Sequence, residues 1–142
     1  MFYLDTSVLV AYYCPESISE MVEEFFLKIK QPAISQLTEL ELVSAISRKI
    51  REKNLTIEDG NKIIAQFQSH FEKKLFKIIQ VQSEHYQLAR NWISQFSTPL
   101  RTLDALHLAV ASLNNLTVLS ADYHMAKSAQ YFGVDVKYFP NP

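Results

Sequence analysis

Glycine and cysteine are scarce in this 142-residue sequence, which contains two glycines and one cysteine. With only Gly60 and Gly133, the chain has neither the glycine-rich loop of P-loop NTPases nor the G-x-G-x-x-G fingerprint of dinucleotide-binding folds. The single cysteine, Cys14, excludes an internal disulfide and any cysteine-based zinc cluster. These absences remove nucleotide binding of those two kinds and cysteine zinc sites from the possible functions.

Long apolar runs and a strong net charge are also missing. No apolar run approaches the ~18 residues of a membrane span, and no basic segment leads into an apolar stretch as in a signal peptide. The formal net charge is −1, so any attraction to nucleic acid must come from a local patch. We therefore expect one globular domain over residues 1–142 in a reducing, cytoplasmic setting.

Short apolar segments alternate with helical patterns along the whole chain. The predicted strands are Met1–Leu4, Ala33–Ser35, Lys74–Val81, Leu116–Leu119 and Val134–Phe139. The predicted helices are Val8–Tyr13, Ser17 or Ser19 to Ile29, Thr38–Lys53, Thr56–Lys73, Ser83–Phe96, Leu103–Leu113 and Tyr123–Phe132. Because the strands are continuous apolar runs, they indicate a parallel sheet covered on both faces. The sequence predicts a three-layer α/β fold, with a central, mostly parallel sheet of about five strands flanked by helices.

The segment Leu103–Leu113 is apolar on every side except at Asp104, His107 and Ser112, as expected of a buried helix. Asp104 therefore lies at the edge of a core, where an ionised carboxylate is costly without a partner. In a purely structural interpretation, Thr102 is the N-cap and Asp104 faces the positive end of the helix dipole. For His107 we favour a core histidine bonded to a backbone carbonyl over a metal ligand or a supporting hydrogen-bond donor.

Four acidic residues fall near one edge of the predicted sheet. Asp5 and Asp122 follow the first and fourth strands, and Glu41 lies in the first turn of the helix after the second strand. Right-handed crossovers place these turns at the edge where α/β proteins bind ligands. Asp104 does not follow a strand, so topology constrains its position less. Converging carboxylates repel one another unless a cation is present, which favours Mg²⁺ or Mn²⁺.

Each of these acids also has a purely structural interpretation. Asp5 and Asp122 are suitable helix N-caps, and Thr38-x-x-Glu41 has the pattern of a capping box. Helical spacing places Glu41 opposite an apolar stripe, which fits a cleft and open solvent equally well. The residues alone leave these interpretations open.

Four segments resemble PIN-domain proteins, and most closely the small VapC-type ribonuclease toxins of toxin–antitoxin pairs. They are Tyr3–Ser7, Glu41–Ile46, Leu103–Ala109 and Leu119–Asp122, and the match follows the order and length of the whole chain. The resemblance implies a PIN-like fold and a metal-dependent endoribonuclease whose ligands to one or two Mg²⁺ or Mn²⁺ ions are Asp5, Glu41, Asp104 and Asp122. It also implies hydroxyl support from Thr6, Ser7 and Ser120, with Ser120 standing where threonine is more usual.

The resemblance further implies an RNA substrate, a cognate antitoxin as protein partner and a homodimer. Arg48, Lys49 and Arg51 form a candidate RNA-contacting surface, although basic residues favour helix C-termini and solvated caps are the preferred interpretation. The aromatic residues of the first two helices are expected mainly in the core, with part of them at a dimer or antitoxin interface.

Two other functions compete with the nuclease. A phosphatase with Asp5 as its nucleophile would need a second acid two residues later, where Ser7 stands. A PIN-like module that binds RNA or protein without cutting would not need four intact acids. Phosphodiester hydrolysis agrees better with the residue types, because carboxylate-bound divalent ions activate water and neutralise phosphoryl oxygens.

Overall fold

A computed structural model describes residues 1–142 and contains five strands and seven helices. The strands are β1 (Phe2–Leu4), β2 (Ala33–Ser35), β3 (Lys77–Ile79), β4 (Thr117–Ser120) and β5 (Val136–Tyr138). The helices are α1 (Thr6–Tyr13), α2 (Ser19–Phe26), α3 (Gln36–Arg51), α4 (Ile57–Glu72), α5 (Ser83–Ile93), α6 (Thr102–Leu113) and α7 (Tyr123–Tyr131). Every predicted element is present, and none of the helices is long and apolar enough to cross a bilayer.

All five strands run parallel, in the order β3-β2-β1-β4-β5. In the central strand, Tyr3 pairs with Ala33 of β2 on one side and with Val118 of β4 on the other. The chain first moves outward from β1 to β2 and β3, and then crosses back to β4 and β5. The change of direction therefore lies between β1 and β4. In open α/β sheets, ligands bind at the carboxyl ends of the strands beside such a switch point.

Successive residues of each strand face opposite layers of helices. Tyr3 and Val118 belong to the core beneath α5, α6 and α7, whereas Leu4 and Leu119 belong to the core beneath α1 to α4. This arrangement confirms the three-layer α/β prediction. Helix α6 is the most deeply packed helix, because Ala105–Ala111 are all buried, as the apolar pattern predicts.

Three helices end earlier than predicted, and a residue with left-handed backbone follows each of them. Lys53, Lys74 and Phe96 have φ values of 63°, 60° and 54°, just beyond the ends of α3, α4 and α5. Because Lys74 belongs to a turn, β3 begins only at Lys77. Gly133, with φ of 73°, follows α7 and confirms the predicted left-handed cap.

Helix α3 begins earlier than predicted because β2 runs directly into it. Ser35 ends the strand and occupies the N-cap position, and a capping box joins Ser35 to Thr38. The predicted box between Thr38 and Glu41 is therefore wrong. Glu41 lies in the second turn of α3 rather than the first, where it is free to serve a purpose other than capping.

Candidate active site

Asp5 lies at the exit of β1, beside the exit of β4. Its backbone N–H donates to the carbonyl of Leu119 at 3.1 Å, and its Oδ1 caps α1 by accepting from the N–H of Val8 at 3.1 Å. The Ser7 hydroxyl donates to the same carboxylate oxygen at 2.5 Å and accepts from the backbone N–H of Ala121 at 2.9 Å. Asp5 and Ser7 therefore join the two strand exits at the switch point.

The Asp5 side chain is a buried acid without a cationic partner. The residue is 3% exposed, and no lysine or arginine forms an ion pair with it. Burial raises the pKa of this carboxyl above its ordinary value, while hydrogen bonds from Ser120 and Ser7 oppose the shift. A buried carboxylate favours a positive ligand beside it, since ionisation in the interior is otherwise costly.

Asp122 lies two residues beyond the end of β4 and caps α7. Its Oδ1 accepts from the backbone N–H groups of His124 and Met125 at 2.9 and 3.2 Å. The hydroxyl of Ser120 accepts from the backbone N–H of Asp122 at 3.0 Å. Asp5 and Asp122 are thus both helix caps, in agreement with the structural interpretation. Capping uses only Oδ1 of Asp122, and its Oδ2 has no hydrogen-bond partner.

Glu41 extends from α3 toward α1 and α6. Its Oε1 accepts hydrogen bonds from the hydroxyl of Thr6 at 2.6 Å and from Nε2 of His107. Burial acts to raise the pKa of Glu41, but the hydrogen bonds from His107 and Thr6 outweigh it and hold the pKa below its ordinary value. Both donors bind Oε1, and Oε2 has no hydrogen-bond or ion-pair partner. Glu41 is therefore an ionised carboxylate with one oxygen available to a ligand.

The His107 ring is buried and bonds to side chains, so the predicted bond to a backbone carbonyl is wrong. Its Nδ1 lies 2.6 Å from the hydroxyl of Tyr3, and its Nε2 contacts Glu41. His107 is thus a hydrogen-bond donor to Glu41, which was one of the alternatives to a core histidine. Sequence reasoning missed Tyr3 altogether, because a tyrosine in an apolar strand is typical of a core residue. The polar His107 within a wholly apolar helix was the available signal of a buried polar network.

Asp104 lies in the first turn of α6. The helix begins at Thr102 with Arg101 at the N-cap position, so the predicted capping role of Thr102 is wrong. Burial and the negative charge of Asp122 raise the pKa of the Asp104 carboxyl, and Glu41 adds to the shift. Arg101 lies 3.9 Å away and opposes it only from an exposed position. The charges of Asp122 and Glu41 therefore both act on the Asp104 carboxyl.

The acids provide the chemistry of a divalent-metal site but not a preassembled one. No group of three or more His, Cys, Asp or Glu side chains is arranged to hold a metal ion. Carboxylate oxygens are nevertheless the ligands that Mg²⁺ and Mn²⁺ prefer, and one oxygen each of Glu41 and Asp122 has no protein partner. The residues fit such an ion in donor type and in charge. Coordination by three or more of them requires side chains to rotate toward a common centre.

A groove of about 460 Å³ runs from Glu41 along α3. Its lining residues combine small, apolar and charged side chains: Thr6, Glu41, Ser44, Ala45, Arg48, Lys49, Glu52 and Leu103. Arg48 pairs with Glu52 at 3.3 Å, while Arg51 donates to Ser47 at 2.8 Å and lies outside the groove lining. Two of the three predicted RNA-contacting residues thus share a groove with Glu41, and the third does not.

Comparison with known proteins gives one family match and several similar folds. The family model described as PIN domain matches residues 2–130. A search of the curated proteins finds no match. One similar structure is VapBC2 from Rickettsia felis bound to a promoter DNA fragment. Its TM-score is 0.69 at 20% identity, and the match covers 98% of this chain and 99% of that one. VapC20 from Mycobacterium tuberculosis, described as a sarcin–ricin loop cleaving toxin, has a TM-score of 0.72 at 14% identity, with coverages of 90% and 95%. A toxin–antitoxin complex from Klebsiella pneumoniae has a TM-score of 0.61 at 18% identity, with coverages of 91% and 90%.

Proposed function

The chain belongs to the PIN domain family, and from that premise we propose that it is a metal-dependent endoribonuclease of the VapC toxin type. The observation that carries the proposal is the position of Asp5 and Asp122 after the adjacent strands β1 and β4 at the switch point, with Ser7 joining the two strand exits. Glu41 is the decisive member, because it caps no helix and is held in the cleft by side chains from two other helices.

The proposed metal ligands are the four carboxylates of Asp5, Glu41, Asp104 and Asp122. Mg²⁺ or Mn²⁺, when bound, supplies an activated water and neutralises the phosphoryl oxygens of the substrate. Thr6 and Ser7 orient two of these carboxylates by donating hydrogen bonds to Glu41 and Asp5. Ser120 acts on the backbone of Asp122 rather than on its carboxylate.

We assign the groove along α3 to the RNA backbone. Arg48 and Lys49 line it, and they form ion pairs with Glu52 and Glu16. These ion pairs are accessible to solvent and therefore contribute little to stability. Phosphate groups can therefore replace those partners. Arg48→Gln should weaken RNA binding and reduce the slope of log affinity against log salt by about one. Arg51→Gln, on the same helix but outside the groove, is the matched control and should leave that slope unchanged.

A cognate antitoxin and homodimerisation form the further part of the proposal. Support comes from the Klebsiella pneumoniae neighbour, which was solved as a toxin–antitoxin complex. The aromatic residues Tyr12, Phe25 and Phe26 pack against the core beneath α1 to α4, as expected for most of them. Two exposed aromatic side chains, Tyr86 and Phe96, instead lie beside a groove of about 520 Å³ between α5 and α6.

Expression and sedimentation test these partners. The chain expressed alone should arrest growth, and co-expression of its antitoxin should relieve the arrest. The purified protein should sediment as a dimer. A monomer that has no effect on growth would support a non-cleaving module instead.

RNA cleavage by the purified chain tests the proposed activity. Labelled RNA should be cut in Mg²⁺ or Mn²⁺ and left intact in EDTA. Asp104→Asn and Asp5→Asn should lower the cleavage rate by more than about 100-fold, because each removes a proposed metal ligand. Glu58→Gln is the matched control, since it removes an exposed acid on α4 that pairs with Lys62, and it should cleave like the wild type.

Two outcomes would favour the competing functions. The lack of a preassembled three-ligand group is the observation that favours a non-cleaving PIN-like module, and binding of RNA without metal-dependent cleavage would support it. Full cleavage by Asp104→Asn would remove that residue from the mechanism. A phosphatase with Asp5 as its nucleophile agrees poorly with the burial of Asp5 and with its hydrogen bonds from Ser7 and Val8.

A further inference from the structure

A continuous chain of hydrogen bonds, buried as far as His107, runs from the sheet to Glu41. The Tyr3 hydroxyl lies 2.9 Å from the hydroxyl of Ser35 and 2.6 Å from Nδ1 of His107. On the other side of the ring, Nε2 of His107 contacts Oε1 of Glu41. Tyr3, Ser35 and His107 are each at most 2% exposed. A residue of the central strand is thus connected through one imidazole to an acid of the candidate site.

The chemistry of the partners determines where the protons lie in this chain. A carboxylate oxygen can only accept, so Nε2 of His107 carries the hydrogen that binds Glu41. In the neutral ring, Nδ1 then accepts from the hydroxyl of Tyr3, whose oxygen accepts from Ser35 in turn. No buried side-chain nitrogen or oxygen lacks a hydrogen-bond partner. The Tyr3 hydroxyl therefore selects the imidazole tautomer that donates to Glu41.

Glu41 has the connections expected of an oriented ligand. The hydroxyl of Thr6 and the imidazole of His107 both bind Oε1, which leaves Oε2 unpaired. Without them, this flexible side chain on an amphipathic helix would be free to turn toward Arg48 and Lys49, which line the same groove. A carboxylate ligand is effective when its orientation is fixed by hydrogen bonds from groups that do not touch the metal.

We propose that His107, oriented by Tyr3, is a positioning residue that directs the free oxygen of Glu41 toward the bound divalent ion. This inference rests on the proposed nuclease function and adds to it a role for two residues that touch neither metal nor RNA. The competing explanation is that His107 and Tyr3 only satisfy polar groups in the core. The two explanations differ in whether a donor at the Nε2 position is needed for metal binding.

Two substitutions at His107 separate the donor from the rest of the ring. His107→Gln places an amide N–H close to the former Nε2 position, whereas His107→Asn has its amide near Nδ1 and leaves Glu41 without that donor. We expect His107→Gln to bind Mn²⁺ within about threefold of the wild type. His107→Asn should bind it about 10–100-fold more weakly, with kcat for RNA cleavage reduced and KM for RNA unchanged. Tyr3→Phe should weaken Mn²⁺ binding less than His107→Asn does. It removes the hydroxyl that fixes the tautomer of His107 but leaves the imidazole ring in place.

Calorimetric titration of Mn²⁺ into each folded, metal-free variant gives the result. Wild-type affinity in folded His107→Asn would overturn the positioning role and leave the proposed function intact. Failure of the wild type itself to bind Mn²⁺ and cleave RNA would instead overturn both.

NMR of the wild type decides the question if His107→Asn does not fold. Addition of Mg²⁺ should shift the Nε2 resonance of His107, because Glu41 then binds a cation. His85 is an internal control: it is also buried, but its Nδ1 accepts from the backbone N–H of Gln82, the N-cap residue of α5. A Mg²⁺ titration that leaves the His107 resonance unmoved would overturn the proposal. So would a His107 ring that carries its hydrogen on Nδ1.

Discussion

At the scale of single residues, the buried Asp5 makes stability depend on pH. Burial raises the pKa of Asp5 in the folded state, so the folded protein binds this proton more tightly than the unfolded chain does. The resulting stabilisation is fully present below the ordinary carboxyl pKa of about 3.9. It is lost as the pH rises through the raised folded-state value. Above that value the metal-free protein therefore contains an unfavourable buried charge.

Asp5→Asn removes that charge and keeps an oxygen that can accept from Ser7 and Val8. We expect the metal-free variant to be at least as stable as the wild type at pH 7, and to lack the Asp5-dependent loss of stability as the pH rises. Urea unfolding in EDTA between about pH 4 and pH 7 measures both effects. A variant less stable than the wild type by more than about 1 kcal/mol at pH 7 would show that the buried charge is well stabilised.

The sequence could predict which acidic and hydroxyl residues lie near the carboxyl edge of the sheet. It could not predict the hydrogen-bond partners of those residues. Asp5 and Asp122 are correctly placed because each follows the end of a strand within two residues. The bonds of His107 to Tyr3 and Glu41 join residues 104 and 66 positions apart. Helical periodicity describes neighbours within one turn, so contacts of this range lie outside what it can predict.

At the scale of elements, α6 connects the core to the candidate site. Its buried residues pack against α5 and the sheet. Asp104 lies close enough to Asp122 and Glu41 to feel their charges, and His107 contacts Glu41. Leu108→Ala should lower the free energy of unfolding by about 2–5 kcal/mol, since Leu108 is fully buried. Leu113→Ala makes the same change at a side chain that is 47% exposed and should cost less than about 1 kcal/mol. Similar losses in both variants would contradict the packing described for α6.

The existence and type of each element could be predicted from apolar runs and periodicity, whereas the ends could not. Left-handed residues such as Lys53 and Lys74 stop helices where no glycine marks the end. Similarly, Ser35 serves as the last residue of β2 and the cap of α3 at once. That overlap moved the start of the helix and changed the turn in which Glu41 lies.

At the scale of the whole molecule, the strand order brings Asp5 and Asp122 to neighbouring strand exits. Alternating strands and helices predict a parallel sheet, and right-handed crossovers predict that Asp5 and Asp122 share an edge. The order β3-β2-β1-β4-β5 adds that their strands are direct neighbours. Local patterns do not specify which strands pair, because that choice depends on packing between distant segments. The family resemblance supplied the set of four acids, and the strand order explains why two of them, Asp5 and Asp122, lie at neighbouring strand exits.

If the four acids form one shared metal site, removal of one ligand must weaken the binding of metal by the others. The most direct measurement is calorimetric titration of Mn²⁺ into metal-free wild type, Asp104→Asn and Glu58→Gln. We predict saturable binding to the wild type and to Glu58→Gln, which loses only an exposed surface charge. Binding to Asp104→Asn should be weaker by more than about tenfold. Equal affinity of Asp104→Asn and the wild type, or no binding of Mn²⁺ by the wild type, would contradict a shared metal site.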